Sequence, residues 1–151
     1  MLVLVPAVCL AQSAPAIRLK PAWVKKYAQL EAKAKQQQGH QRAETLAALA
    51  ALDYQVVNSG FNHHDVAAAD HYMEHMSRHA DQACALLHTE AQQGKKDGIK
   101  HVEVIVQRIA FGLRGLESAV DFREEAKIEA AVEHFTNLNY ELLQWLFAPK
   151  S

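Results

Sequence analysis

The stretch His63–Gly98, HHDVAAADHYMEHMSRHADQACALLHTEAQQGKKDG, decides the architecture. From Asp65 to Gln93 it holds neither proline nor glycine. Its apolar residues Ala69, Met73, Met76, Ala80, Ala83 and Leu87 recur at three- and four-residue steps. At about 100° per residue they share one face of a helix. The spacing predicts a long helix over about 63–93, capped by Asn62. Gly94-Lys95-Lys96-Asp97-Gly98 then forms the clearest loop in the chain.

Beyond that loop, Asp97 or Gly98 opens a helix reaching about Ser118, with Val102, Ile105, Val106, Ile109, Leu113 and Leu116 on one face. Asp121, with Glu124 three residues on, has the form of a capping box. It starts a last helix to about Phe147 that uses Ile128, Ala131, Phe135, Leu138, Leu142 and Leu146; Pro149 closes it. Before the long helix, Leu46, Leu49, Leu52 and Val56 mark a helix over about 41–59, with Gly60 as its expected C-cap. Gly39 separates that helix from one over about 21–38, whose Pro21 suits a first turn. No segment alternates with period two, so no strand is expected. Short loops favour antiparallel neighbours. The predicted fold is an all-α bundle of four or five helices, built from antiparallel hairpins on either side of the Gly94 loop.

Composition sets further bounds. With 50% hydrophobic residues, 151 residues suffice for one cored domain. Lys and Arg total 16 against 17 for Asp and Glu, which argues against a nucleic-acid partner. Residues 1–16, MLVLVPAVCLAQSAPA, read as a signal peptide: an apolar run from Leu2 to Leu10, then small residues. Cleavage falls after Ala11, Ser13 or Ala16. No Lys or Arg precedes the run, and the alternative is a buried or disordered N-terminal arm. Val8 before Cys9 argues against lipid anchoring. Residues 17–151 then form a single helical domain in the periplasm or outside the cell, without a membrane span. It retains one cysteine, Cys84, and so no intrachain disulfide.

Leu46-Ala47-Ala48-Leu49, Ser59-Gly60-Phe61, Asp65-Val66, Ala69, His79-Ala80 and Ala83 together resemble a degenerate tetratricopeptide-like helix pair. With Gly94-Lys95-Lys96, Glu103, Arg108, Leu113, Leu116, Asp121 and Glu141-Leu142-Leu143, most of the chain looks like an uncharacterised group of exported bacterial all-helical proteins. The resemblance implies a helical fold and export, and brings no activity. At most one tetratricopeptide-like unit is present, so an extended solenoid is not expected.

The 9 histidines are the chain's compositional oddity. His71, His75 and His79 stand at i, i+4 and i+8, with His64 one heptad earlier. Histidines four apart on a helix can chelate Zn, Cu or Ni. His64, His71 and His75 fall opposite the apolar face, beside Arg78 and Gln82, and His79 falls at its border. The stripe is therefore a solvated surface, a divalent-metal site or an acid sensor. Motifs of buried centres are missing: no Glu-x-x-His, no Cys-x-x-Cys-His, no His-Glu-x-x-His. Met73 and Met76 fit core packing better than copper binding. Gly94 to Gly98 lacks the strand that a phosphate loop needs. Cys84 reads as a small apolar core residue, and no catalytic residue is assigned.

Asp53 and Arg42 share a face with Leu46, Leu49 and Val56, so Asp53 needs a cation or a helix end beside it. Asn139 flanks Phe135 and Leu142 in the same way. Val104 and Phe111 lie opposite the core face of their helix. Phe122, Tyr140 and Phe147 share an off-core arc on the last one. Two-faced helices call for another layer: the helix near Pro21, a second subunit, or another partner. The expected function is a non-catalytic exported interaction or scaffold module, with Val104 and Phe111 on its interaction face. The alternatives are a metal-binding protein using His71, His75 and His79, and a ligand carrier with a pocket near Trp145 and Tyr72.

Overall fold

The computed structural model describes residues 19–149; the signal-peptide reading of 1–16 lies outside them. The described residues form five helices: α1 (Pro21–Gln36), α2 (Gly39–Asn62), α3 (Val66–Gln92), α4 (Ile99–Glu117) and α5 (Phe122–Phe147). No strand occurs among them. The all-α bundle follows from the helical spacing of the apolar residues.

Cross-helix contacts set the directions. Asp53 meets His79, and His40 meets Glu90, so α2 and α3 run antiparallel. Arg114 bonds Thr136 and Lys96 bonds the Leu146 carbonyl, so α4 and α5 also run antiparallel. The two hairpins stack side by side in the same sense. Asp70, Asp81 and His88 on α3 meet Lys127, His134 and Trp145 on α5. On the other edge, Tyr54 of α2 lies on Gly112 of α4, where an added Cβ would run into its hydroxyl. The interior holds Leu49, Met76, Leu87, Ile99, Leu113, Ile128, Phe135 and Leu142, all fully buried. Each contributes roughly 1.5–3 kcal/mol by leaving water. Helix α1 buries only Ala34. It lies on α2, where the Trp23 indole N–H donates to the Leu52 carbonyl at 3.4 Å.

Several local expectations are corrected. Gly60 does not end α2. It sits inside the helix where α3 crosses, and a Cβ there would stand 2.9 Å from the Ala69 Cβ and 3.0 Å from the Asp65 carbonyl. The cap of α3 is Asp65, whose carboxylate accepts from the Ala68 N–H at 3.2 Å, and not Asn62. His64 belongs to the α2–α3 turn, with φ of 59°, and so leaves the histidine stripe. Asp121 stands at the N-cap of α5, but its side chain makes no capping bond. Arg42 is exposed, not on the core face. At the C-terminus of α5, the Lys96 ammonium donates to the Leu146 carbonyl at 2.9 Å. A cation there satisfies carbonyls that the helix leaves orphaned. No described helix is long and apolar enough to cross a membrane.

Candidate functional site

Two places concentrate chemistry. The first is the junction of α1, α2 and α3. Asp53 is fully buried, as its position among Leu46, Leu49 and Val56 requires. Its Oδ2 lies 2.7 Å from His79 Nδ1, so the partner that the buried carboxylate requires is an imidazole on the neighbouring helix. Around this pair, Trp23 stacks on Tyr27 at 4.8 Å and meets Tyr72 edge-on at 5.7 Å. The Tyr27 hydroxyl and Asp53 Oδ1 are buried, and neither has a hydrogen-bond partner of good geometry. They are still close enough for the carboxylate to act on the phenol. Burial first, then the Asp53 charge, pushes the Tyr27 hydroxyl far above its usual range. Tyr72 is raised for the same two reasons.

The histidine stripe is thereby divided. His71 is exposed, and its ring lies 4.5 Å from that of His75. His75 and His79 are 6.1 Å apart, and His79 Nδ1 is committed to Asp53. Burial, then the charges of Arg78 and His71, lowers the His75 pKa and favours a neutral ring. Among the described residues, no three His, Cys, Asp or Glu side chains gather where one metal ion could take them all. Tyr72 and Trp145 do not share a pocket wall. Tyr72 belongs to the α1 junction, while Trp145 stacks on His88 at 4.9 Å beside the Gly94 loop.

Cys84 is buried and free. Burial, then Asp81 and Glu141, pushes its thiol up to about 12. Since the thiolate is the reactive form, labelling by a disulfide reagent at pH 8 is expected to be at least about 100-fold slower in the native protein than in urea. Comparable rates would show the thiol to be accessible.

The second place is the outer face of the α4–α5 hairpin. Four large apolar side chains stand in solvent there: Phe111 at 75%, Phe122 at 89%, Tyr140 at 63% and Phe147 at 77% exposure. Val104 is half-buried. Helix α1, packed on α2, does not cover this face, which removes one of the three layers expected to do so. A groove of about 550 Å³ runs between the helices, lined by Arg108, Phe111, Gly112, Arg114, Thr136 and Asn139 among others. The Arg114 guanidinium donates to the Thr136 hydroxyl at 3.0 Å. Asn139 Oδ1 is buried with no partner. No carboxylate pairs with Arg108 or Arg114 among the described residues.

Sequence reasoning missed two charged elements. Glu103 is buried at 2% exposure and takes the Lys100 ammonium at 2.8 Å. Its place beside Val102 on the inner arc of α4 was the available signal. The arginines at three-residue steps around Phe111 were equally visible, but their lack of partners was not. The chain matches no protein-family model, no curated protein and no solved structure.

Proposed function

We propose that this chain is a non-catalytic helical interaction module, exported from the cell that makes it, and that the outer face of α4–α5 is its working surface. The observation that carries this is the exposure of four aromatic side chains, Phe111, Phe122, Tyr140 and Phe147, along one hairpin. Single exposed apolar residues need no explanation, whereas four aromatic rings exposed on one hairpin, with Phe111 lining a polar groove, have the composition of an interaction site. The Asp53–His79 pair serves as an internal tether between α2 and α3: the imidazole bonds the carboxylate and no nucleophile. A photo-crosslinking amino acid at position 111, in cells that make the protein, is the test. A discrete adduct at 111, missing when the probe sits at exposed position 82 on α3, supports the module. No adduct at 111 above that control removes the support.

A second reading has one observation in its favour, the 4.5 Å approach of the His71 and His75 rings. Two imidazoles so placed could share a Cu, Ni or Zn ion through bonds of about 2.0–2.1 Å, with His79 left to Asp53. Because the His75 pKa lies below the ordinary value, proton competition at that ring sets in only below the usual histidine range. Calorimetric titration at pH 7.5 should then give micromolar binding that is lost in H71A/H75A. Equal heats for the native and double-variant proteins would end this reading.

A further inference from the structure

We propose that the partner of the α4–α5 face is a second copy of this chain, docked so that the acidic, Phe122-bearing start of α5 enters the Arg108–Phe111–Arg114 groove. This rests on the interaction-module reading and names its partner.

Phe111 stands between Arg108 and Arg114, one helical turn to either side, so an aromatic ring is flanked by two guanidiniums. Neither guanidinium has a carboxylate partner among the described residues, and the Asn139 carbonyl beside them lacks a donor. An occupant that satisfies this surface brings carboxylates together with an apolar side chain. Charge complementarity of this kind sets partner choice and register more than raw affinity.

The same chain carries that occupant. At about 100° per residue, Phe122, Glu125, Ala126 and Glu129 share the face of α5 turned from the core residues Ile128 and Ala131. Phe122 is the most exposed large apolar residue described, and Glu125 and Glu129 are exposed and unpaired among the described residues. The cations nearby do not neutralise this face. Lys127 is engaged by Asp70 and Glu124, and Arg123 points about 100° around the helix from Phe122. Groove and acidic tip lie on one hairpin, so a two-fold axis makes both contacts at once: each tip in the other's groove. Phe122 then enters the groove beside Phe111, and the acidic start of α5 meets the arginine-lined wall.

Sedimentation velocity from micromolar to hundreds of micromolar is the experiment. The native protein should form a dimer that weakens as salt rises. Phe122→Ser, R108E/R114E and E125R/E129R should each sediment as folded monomers, with dissociation constants raised by at least about 100-fold for the charge reversals. An equimolar mixture of the two charge-reversed proteins should restore a heterodimer, since both of its contacts again pair opposite charges. The mixture keeps the test informative even if one variant is merely weakened. A native protein that stays monomeric, a dimer indifferent to Phe122→Ser, or a mixture that does not associate overturns the proposal. A monomer that still crosslinks to another protein from position 111 refutes only the second copy. A monomer with no adduct refutes the module reading as well.

Discussion

Leucine in place of His79 is expected to destabilise the protein by roughly 3–5 kcal/mol, because it strands the fully buried Asp53 carboxylate without its imidazole partner. Removing both partners should do far less harm. The D53L/H79L double variant places two apolar side chains on helix faces whose neighbours Leu49, Val56 and Met76 are buried, and buried ion pairs replaced this way are often neutral in stability. Urea unfolding of the two single variants and the double closes a thermodynamic cycle. A double variant no more stable than H79L would mean that the histidine contributes packing, not charge compensation.

Phe135→Ala and Phe111→Ala are the same chemical change at opposite ends of the burial scale. Phe135 is wholly buried between α4 and α5, and its truncation should cost roughly 3–5 kcal/mol in lost transfer energy and cavity formation. Phe111 is three-quarters exposed in the monomer, and its truncation should change monomer stability by no more than about 0.5 kcal/mol. The second variant should instead lose association. Equilibrium unfolding at a concentration below the dimer's dissociation constant separates the effects. If Phe111→Ala unfolded as readily as Phe135→Ala, the ring would belong to the core, and the docking face would vanish with it.

Much of the fold was legible because helix periodicity is a local property. The apolar residues of α3, α4 and α5 recur every three or four positions, and those assigned inward are the ones found buried or half-buried, from Ala69 and Met76 to Leu113 and Phe135. Loops were readable for the same reason: Gly94 and Gly98 both adopt positive φ where the chain turns. The errors fall where a neighbour outweighs a local signal. Gly60 carries the mark of a helix end, yet it is glycine because α3 passes within contact of it. Asn62 has a good capping side chain, but the cap went to Asp65, which lies in line with the first turn of α3.

The site divides along the same line. That Asp53 needs a cation or a helix end beside it follows from one helix's pattern and the cost of burying charge. That the partner is His79, at the border of the histidine stripe, depends on the distance between α2 and α3. Residue order along the chain, with hydrophobic burial acting on it, determined which residues form helices, which faces turn inward, and that Val104 and Phe111 point away from the core. Helix packing alone decided that α1 lies on α2 and leaves that face open, and that His79 is tied down while His71 is not. Periodicity is written within a single helix, whereas a contact between helices depends on where two of them stand.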